Sequence, residues 1–390
     1  MTRAPLDVLL DLTPLDTPSR YRGIGRYARE LGRALAALEP GDLRVGGLIG
    51  AWGRRAVLPT PVYDGRADLH PTTRSFRWTI RSRRFVLPRA VNRSGARLVH
   101  ITEATGTPLG LRVPRVVTCH DLIPLIFYRD YLGRGPHHRM VRWLTELHRY
   151  RRALRVIAIS SATKRDLIEH LNIAEDRIDV VHHGIDHTRF QPSARPDDER
   201  LVSGAGLTER PYILCIGGGD KRKNLQHLVR AFAASGVARG VDLAFVGFLG
   251  DADSTLRSTA RDHGVLDQVR FLGYVDEELI PALYRRCVFH VFPTLYEGFG
   301  FPAVEAMACG APTLTTPHAA LCEISGNATQ LVQGTDVEET AAALKKLVDD
   351  DSLRRQLRDA GLSVVGRFSW SKCARETLQT YRRALAEVDG

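Results

Sequence analysis

The chain contains two successive series in which short apolar runs alternate with longer segments of helical periodicity. The first series of predicted strands comprises Leu6–Leu12, Leu43–Ile49, Leu98–Thr102, Val116–Cys119, Val156–Ile159 and Ile178–His182. The second series comprises Tyr212–Ile216, Leu243–Val246, Val269–Leu272, Val288–Phe292, Pro312–Leu314 and Gln330–Val332. Because strands that alternate with helices form mostly parallel sheets with helices on both faces, the pattern predicts an α/β protein with two doubly wound domains.

The boundary between the two predicted domains lies near residue 200. At 390 residues the chain is long for a single hydrophobic core. A polar stretch begins at Asp197 and leads to Gly206, a composition that is typical of a linker. We therefore expect one domain over residues 1–196 and a second over residues 197–370.

The composition is that of an ordinary globular protein, with 44% hydrophobic and 25% charged residues. No apolar stretch approaches the ~20 residues that a membrane-spanning helix needs. The first residues lead directly into a predicted strand, without the features of a signal peptide. The six cysteines are scattered and include no C-x-x-C pair, which is typical of buried free thiols. We expect a cytoplasmic protein without structural disulfides.

The net charge of +11 is distributed unevenly. Between Arg66 and Arg97 there are nine arginines and one acidic residue, and a second basic stretch runs from Arg129 to Arg155. Such a surface attracts anionic lipid, phosphorylated acceptors or nucleic acid. No nucleic-acid-binding module accompanies it, so nucleic acid is not an expected partner. One interpretation is peripheral contact with an anionic membrane at its inner face; the other is a solvated, arginine-rich surface.

Two glutamates, Glu297 and Glu305, stand eight positions apart across a glycine-containing turn. The turn follows an apolar run that predicts a buried strand, and Pro302 suits the first position of a helix. We expect Glu305 in the first turn of that helix. Carboxylates accept hydrogen bonds from vicinal hydroxyls, while the N–H groups at a helix start attract phosphate. The predicted ligand-binding residues are Glu297, Gly298, Phe299, Gly300, Phe301 and Glu305.

The turn therefore has the chemistry to bind the sugar, ribose and diphosphate of a nucleotide sugar. The alternative interpretation makes Glu297 a solvated loop residue and Glu305 a partner of the helix dipole.

A second candidate segment, Gly217 to Leu225, contains three glycines followed by two lysines and an arginine. A glycine-rich turn with basic residues at a helix start can hold a diphosphate with backbone N–H groups and a cation. The segment lacks the G-K-[ST] ending of a P-loop. The alternative is an ordinary glycine turn with solvated lysines. The candidate ligands are Gly218, Arg222 and Lys223.

Three motifs together resemble the retaining family-four glycosyltransferases of the GT-B fold. They are the E-x7-E spacing of Glu297 and Glu305, the "GIGRY" loop from Gly23 to Tyr27, and the "HDLIP" loop from His120 to Pro124. The two loops are similar to those of a bacterial mannosyltransferase branch, and the resemblance runs over essentially the whole chain. It implies two Rossmann-like domains facing a cleft, with ligands bound there at the carboxyl ends of strands.

The resemblance also implies roles for individual residues. Lys223 would contact the donor diphosphate, and the loop with Gly23 and Gly25 would lie against it. His120 ends a predicted strand and would contact the donor sugar. Many relatives carry an arginine directly after the strand where this chain has glycine, so this second cation is either missing or supplied by Arg222. The predicted catalytic residues are His120, Lys223 and Glu297.

The expected reaction is transfer of a hexosyl group from a nucleoside-diphosphate sugar, with retention and without a metal ion or other cofactor. Lysine and a helix start would stabilise the leaving diphosphate. Glu297 would bind hydroxyls of the donor sugar, and Glu305 those of the ribose. Asp251 and Asp253 have the spacing of a metal–nucleotide motif, but they precede a helical run and are interpreted as a helix-start cap. In such folds the last helix crosses back to the first domain, so residues 371–390 are assigned there.

The two loops favour GDP-mannose as the donor, with UDP-glucose or another UDP-hexose as the alternative. The arginine-rich first domain favours a lipid-linked or phosphorylated glycan as the acceptor, which would place the protein in polysaccharide biosynthesis. A soluble small molecule is the alternative acceptor. A catalytically silent scaffold is a rival, against which the intact motif residues argue. A second rival, an NAD-dependent oxidoreductase, lacks support because the segment from Gly23 to Ala28 does not complete G-x-G-x-x-G.

Overall fold

The computed structural model describes residues 6–39, 41–50, 57–61, 87–104, 107, 110–131, 136–207 and 210–390. They divide into two units, Met1–Gly184 with Phe368–Gly390, and Ile185–Arg367. The chain changes unit after Gly184, whereas the sequence analysis placed this boundary after residue 196. The residues between the two bounds contact the second unit, since Arg189 pairs with Glu277 at 2.7 Å and Arg285 donates to the carbonyl of Gln191 at 3.4 Å. Directly after them, Asp198 forms a buried ion pair with Arg285.

The first unit is built around a seven-stranded sheet. Its strands are β1 (Val8–Asp11), β2 (Val45–Gly50), β3 (Val57–Pro61), β4 (Leu98–Ile101), β5 (Arg115–Cys119), β6 (Arg155–Ala158) and β7 (Ile178–Val180). The strand order is β3-β2-β1-β4-β5-β6-β7, and every neighbouring pair is parallel except β2 and β3. The predicted α/β class is therefore confirmed for this unit, with an antiparallel strand added at one edge.

The second unit contains a six-stranded sheet in which all neighbouring strands are parallel. Its strands are β8 (Tyr212–Ile216), β9 (Asp242–Val246), β10 (Val269–Gly273), β11 (Phe289–Phe292), β12 (Thr313–Thr315) and β13 (Gln330–Leu331). The strand order is β10-β9-β8-β11-β12-β13. All six were predicted from their apolar runs, with ends that differ by at most one residue.

Helices cover the sheets and connect the parallel strands. Among the described residues they are α1 (Gly23–Leu38), α2 (Leu87–Asn92), α3 (Ile123–Ile126), α4 (Tyr128–Tyr131), α5 (Pro136–Arg151), α6 (Ser161–Leu171), α7 (Asp198–Gly204), α8 (Leu225–Ala234), α9 (Ala252–Asp262), α10 (Leu279–Arg286), α11 (Phe301–Ala308), α12 (Ala319–Ser325), α13 (Val337–Asp349), α14 (Asp351–Val365) and α15 (Trp370–Asp389). Each unit has its own core of buried aliphatic and aromatic side chains beneath these helices.

The edge strand β3 was missed by the sequence analysis. Its five residues include Pro59 and Pro61, which lack an N–H donor and argue against a strand inside a sheet. At the end of the strand order these prolines are tolerated, since an edge strand need not donate hydrogen bonds on both sides.

The C-terminal helix α15 belongs to the first unit. Its N-cap is Ser369, whose side chain accepts a hydrogen bond from the N–H of Lys372. Its fully buried Tyr381 forms a hydrogen bond of 2.6 Å with Nδ1 of His100 on β4. This buried polar contact ties the last helix of the chain to the centre of the first sheet.

The strand order of the second sheet places two loops side by side. The chain proceeds outward from β8 through β9 and β10, then returns to add β11 on the other side of β8. The connections after β8 and β11 therefore start from neighbouring strands and continue to opposite faces of the sheet. α/β folds bind ligands in the crevice that forms at such a reversal of the strand order. Both candidate segments of the sequence analysis follow these two strands.

No helix in the described part of the chain is long and apolar enough to cross a membrane. Several arginines of the predicted basic surface lie outside the described residues; they are Arg66, Arg74, Arg77, Arg81, Arg83 and Arg84. The six cysteines are free thiols.

The ion pair between Asp198 and Arg285 leads to a stability prediction. Both side chains are only 4% exposed, so Asp198→Asn leaves a buried guanidinium without its counter-charge. We expect a loss of about 3–5 kcal/mol in the free energy of unfolding of the second unit, measured by urea denaturation at neutral pH.

The matched control is Asp197→Asn. Asp197 pairs with Arg200 on the surface, where the two side chains are 67% and 73% exposed. Its replacement should change the same free energy by no more than about 1 kcal/mol. Equal effects of the two substitutions would contradict the role given to the buried pair.

Candidate functional site

The loops that follow β8 and β11 are joined by backbone and side-chain hydrogen bonds. The N–H of Leu295 donates to the carbonyl of Arg222 at 2.8 Å. The Arg222 guanidinium donates in return to the carbonyl of Tyr296, also at 2.8 Å. These contacts hold the basic turn of one candidate segment against the glutamate-bearing turn of the other.

Glu297 lies at the centre of this junction. Its Oε1 accepts a hydrogen bond from Nζ of Lys223 at 2.5 Å and one from the hydroxyl of Thr294 at 2.9 Å. The same oxygen also binds the guanidinium of Arg222. The side chains of Glu297, Lys223 and Arg222 are 11%, 12% and 15% exposed, so these three charges form a largely desolvated cluster. We call Glu297, Lys223 and Arg222 the charge cluster.

The charge cluster shifts the pKa of its members. Burial by itself raises the pKa of Glu297, but the adjacent Lys223 and Arg222 outweigh that effect and hold the pKa below its ordinary value. The pKa of Lys223 is also lowered, first because burial penalises the ammonium and then because Arg222 repels it, although Glu297 opposes the shift. Two cations thus share one carboxylate oxygen, so the three side chains of the charge cluster carry more positive than negative charge.

Local sequence explains how the basic turn is shaped. Asp220 precedes a single turn of 3₁₀ helix, Lys221–Lys223, and its carboxylate accepts a hydrogen bond from the N–H of Arg222 at 3.1 Å. Asn224 ends that turn with a left-handed backbone, φ 58°, a conformation that asparagine adopts more readily than most residues. Lys223 then lies over the ring of Phe292 at 4.7 Å, a cation–π contact that orients its ammonium.

The glutamate-bearing turn depends on Gly300. Its φ is 90°, and a side-chain carbon at this position would lie 2.5 Å from the side chain of Leu321. Glycine therefore satisfies both the backbone and the packing where α11 begins. Phe299 is buried and packs edge-on against Phe301 at 5.3 Å, so these predicted ligand residues form the hydrophobic wall of the turn. Gly298 is buried beside them.

Glu305 lies on α11 and contacts the neighbouring helix α10. It is the fifth residue of α11, so it belongs to the second turn and not to the first turn as predicted. The side chain is buried, and the hydroxyl of Tyr284 on α10 donates to its Oε2 at 3.3 Å. The helix starts one residue earlier than expected, at Phe301. Glu305 is therefore one residue further from the free N–H groups at the helix start.

Gly218 lies in the loop after β8, where a side-chain carbon would approach the carbonyl of Phe248 at 3.3 Å. The loop is thus closely packed against the connection that leaves β9. Gly218 is half-buried, so its backbone stays accessible at the carboxyl edge of the sheet.

In the first unit, His120 directly follows β5. Its Nε2 lies 2.7 Å from the carbonyl of Thr102, and because a carbonyl only accepts, Nε2 must carry the proton. Burial lowers the pKa of His120, so the ring is neutral near pH 7 and its Nδ1 can accept a hydrogen bond from a hydroxyl. Asp121 has a local role, since its carboxylate accepts from the N–H of Ile123 at 3.0 Å.

The "GIGRY" loop opens helix α1 and contacts His120 through Tyr27. The Tyr27 and His120 rings meet edge-on with their centres 5.1 Å apart. The Tyr27 hydroxyl lies 2.9 Å from Oγ1 of Thr118, which in turn lies 2.7 Å from Nε2 of His100. Gly25 permits this packing, because a side-chain carbon there would overlap the backbone of Arg20. Gly23 is exposed at the first position of the helix.

His183 was not among the predicted site residues. It is buried, with its ring centre 4.7 Å from that of Tyr27 and 5.5 Å from that of His120. The only signal in the sequence is its position in a loop that resembles "N-G-[VI]-D", where histidine replaces asparagine. The structure brings it beside the "GIGRY" and "HDLIP" loops because β7 lies two strands from β5.

No group of His, Cys, Asp and Glu in the described ranges is arranged to hold a metal ion. Asp251 stands at the N-cap of α9, as expected, but its side chain makes no capping hydrogen bond. Asp253 forms a surface ion pair with Arg257 at 2.9 Å. Ser160, by contrast, caps α6, since its hydroxyl accepts from the N–H of Thr163 at 3.1 Å.

Comparison with protein families and known proteins matches both halves of the chain. Residues 21–189 match the family model described as Glycosyltransferase Family 4, and residues 199–364 match Glycosyl transferases group 1. The chain is 30% identical over 279 residues to the serotype-specific mannosyltransferase WbdA of Escherichia coli, which covers 69% of this chain and 33% of that protein. The matched region is thus about a third of the length of WbdA.

A second relative matches over most of its length. The chain is 32% identical over 308 residues to the MMP alpha-(1->4)-mannosyltransferase of Mycolicibacterium hassiacum, covering 75% of this chain and 71% of that protein. Among solved structures, the sucrose-phosphate synthase of Thermosynechococcus elongatus is similar with a TM-score of 0.75 and 22% identity, covering 99% of this chain and 100% of that chain. At that identity the structural likeness establishes the fold alone.

The charge cluster leads to a prediction of pH-dependent stability. A carboxyl whose folded pKa is lowered contributes stability above its ordinary pKa of 4.5, and this contribution disappears as the pH falls through the folded pKa. At pH 7, Glu297→Gln should lower the free energy of unfolding by about 3 kcal/mol, because Lys223 loses its buried counter-charge and Arg222 keeps only the more exposed Asp220, at 3.5 Å. The difference in free energy of unfolding between wild type and Glu297→Gln should become smaller as the pH falls. Urea denaturation at several pH values from 7 down to 3 measures it.

Glu338→Gln serves as the control, because Glu338 is an exposed carboxylate in the first turn of α13. Its replacement should cost less than about 1 kcal/mol at pH 7. A gap between wild type and Glu297→Gln that does not change with pH would refute an electrostatic origin.

Proposed function

Because the chain belongs to the family-four, group 1 glycosyltransferases of the GT-B fold, we propose that it transfers a mannosyl group from GDP-mannose to a glycan acceptor with retention of configuration. The family and the fold agree with the prediction from the three sequence motifs, and both are confirmed. The donor, the acceptor and the residue roles below belong to the proposal.

Two observations favour mannose over other hexoses. The "GIGRY" and "HDLIP" loops resemble those of bacterial mannosyltransferases. WbdA and the Mycolicibacterium protein, at 30% and 32% identity, both carry the name mannosyltransferase. A UDP-hexose such as UDP-glucose is the alternative donor, since neither observation concerns the nucleoside base.

The charge cluster is the observation that carries the mechanism. Its two cations, Lys223 and Arg222, lie after β8 at the point where the strand order reverses. Loss of the diphosphate from a sugar nucleotide places negative charge on the phosphate oxygens, and desolvated cations stabilise such charge more strongly than solvated ones. We assign Lys223 and Arg222 to this task, with the glycine turn at Gly218 supplying backbone N–H groups. No metal ion is needed for this step in the proposal.

The other motif residues are assigned to the sugar and the ribose. Glu297 accepts hydrogen bonds from hydroxyls of the donor sugar, and Glu305 from those of the ribose. His120, neutral with a lone pair on Nδ1, accepts a hydrogen bond from a further hydroxyl of the sugar. The first loop, with Gly23 and Gly25, contributes backbone groups to the diphosphate.

The first experiment measures binding of a panel of nucleotide sugars by calorimetry, with GDP-mannose and UDP-glucose at its centre. We expect selective binding of GDP-mannose. Lys223→Ala should weaken it by about 1.5–3 kcal/mol, which is the range for loss of a charge-assisted hydrogen bond. Transfer to mannose-containing glycans would then identify the acceptor.

Lys221→Ala is the matched control, since Lys221 lies in the same 3₁₀ turn but is exposed. It should change donor affinity by less than about 0.5 kcal/mol. Selective binding of UDP-glucose would keep the mechanism and overturn the donor, whereas a folded protein that binds no nucleotide sugar would favour the scaffold alternative.

A membrane-associated acceptor is supported by one face of helix α5. Three apolar side chains on this helix, Met140, Val141 and Leu144, are 57%, 62% and 52% exposed. Exposed arginines accompany them in the same stretch of the chain; they are Arg129, Arg151 and Arg152. Apolar side chains with nearby cations are the combination that an anionic bilayer surface attracts. We propose that this face contacts the membrane that carries a lipid-linked acceptor.

The membrane contact is tested by sedimentation with vesicles of phosphatidylglycerol and of phosphatidylcholine. We expect preferential binding to the anionic vesicles and a weakening of at least about tenfold in the double variant Val141→Ser/Leu144→Ser. Val388→Ser on α15, where Val388 is 38% exposed in the same unit, is the control. Equal binding to both kinds of vesicle by all three proteins would rule the contact out.

A further inference from the structure

The two cations that are proposed to hold the donor diphosphate are already bound by a carboxylate of the protein. Lys223 contacts Oε1 of Glu297 at 2.5 Å, and Arg222 binds the same oxygen. The hydroxyl of Thr294 adds a third hydrogen bond to this oxygen at 2.9 Å. Glu297 therefore binds the two cations and, in the proposed reaction, also accepts hydrogen bonds from sugar hydroxyls.

A diphosphate and Glu297 compete for these cations. The three side chains of the charge cluster are 15% exposed or less, so little water remains between them to screen their charges. A phosphate oxygen that approached Lys223 while Glu297 kept its place would bring two anions together in a poorly solvated region, which is strongly unfavourable. Binding of the diphosphate thus requires Glu297 to release at least one cation.

The cost of this release depends on what else the ligand offers. A buried carboxylate that loses a cation needs new hydrogen-bond donors, since a buried anion without partners is costly. The hydroxyls of a donor sugar supply such donors. A free nucleoside diphosphate lacks them and has only its ribose hydroxyls, which the proposed function assigns to Glu305. The same carboxylate can therefore favour the complete donor and disfavour the diphosphate product.

We propose that Glu297 is an internal counter-ion that makes the diphosphate site select the sugar nucleotide over the free nucleoside diphosphate. The proposal rests on the function proposed above. When the sugar leaves, Glu297 loses its hydroxyl partners and competes again for Lys223 and Arg222, which promotes release of the nucleoside diphosphate. The lowered pKa of Glu297 agrees with this role, because the carboxylate stays charged through the neutral range.

The test compares the affinity of wild type and Glu297→Gln for GDP and for GDP-mannose by calorimetry; UDP and UDP-glucose are used if the panel selects that donor. Glutamine keeps the size of the side chain and removes its charge. We expect GDP to bind about tenfold more tightly to the variant, within the usual range of coupling between two ligands of one protein. The preference for GDP-mannose over GDP should fall at the same time, and transfer should be lost.

An unchanged or weaker affinity for GDP in Glu297→Gln would overturn the proposal, because removal of a competing anion cannot then explain selection of the donor. Asp253→Asn is the control for net charge alone. Asp253 makes an exposed ion pair with Arg257 on α9, and its replacement removes the same charge away from the cluster. Equal gains in GDP affinity for the two variants would also overturn the proposal.

The double variant Lys223→Gln/Glu297→Gln keeps the test decisive if the single variant is too unstable to study. Removal of both partners of a buried ion pair is tolerated better than removal of one. In the background of Lys223→Gln, the effect of Glu297→Gln on GDP affinity should be smaller, because the Lys223 ammonium for which Glu297 competes is absent. A full effect in that background would contradict the part of the proposal that assigns Lys223 to this competition, because Arg222 alone would then account for it.

The outcomes separate this inference from the proposed function. If wild type binds no nucleotide sugar, the proposed function fails together with everything that depends on it. If wild type binds and transfers the sugar, and Lys223→Ala weakens the donor while Glu297→Gln binds GDP no more tightly, the inference alone fails.

Discussion

The interaction on which the candidate site depends is the contact of one carboxylate oxygen, on Glu297, with the cations of Lys223 and Arg222. Together with the hydrogen bonds between Arg222, Leu295 and Tyr296, it joins the loops after β8 and β11. The two cations lie in a poorly solvated place, where Glu297 is their shared counter-charge and Asp220 also pairs with Arg222 at 3.5 Å. The contacts that join the two loops therefore also define the electrostatics of the candidate site.

The parallel sheets explain why these loops meet. In the second sheet the chain reverses its direction of growth next to β8, and the two strands at the reversal carry the basic turn and the glutamate turn. The first sheet has the same kind of reversal between β1 and β4, and the elements around it place Tyr27 beside His120. Each unit thus concentrates its motif residues at the carboxyl edge of its own sheet, where helix starts and backbone N–H groups also gather.

Much of the site was accessible from sequence because its residues belong to short motifs with strong local constraints. Gly300 is required by a positive φ, and Lys223 follows a glycine turn at a strand end. Other features depend on contacts between distant segments. The approach of His183 to His120 and the hydrogen bond from Tyr284 to Glu305 join residues that no sequence spacing relates. The same limit applies to β3, since the sequence marks Pro59 and Pro61 as unfavourable and only the edge position makes them acceptable.

The sequence by itself determined the class of fold, the strands of both sheets apart from β3, and the family, because apolar periodicity and motif residues are local properties of the chain. Tertiary structure alone decided that Glu297 binds both Lys223 and Arg222, that the units divide after Gly184, and that Glu305 faces Tyr284. Each of these depends on the distance between segments far apart in the chain. Such distances follow from how the sheets and helices pack, which the order of residues does not display.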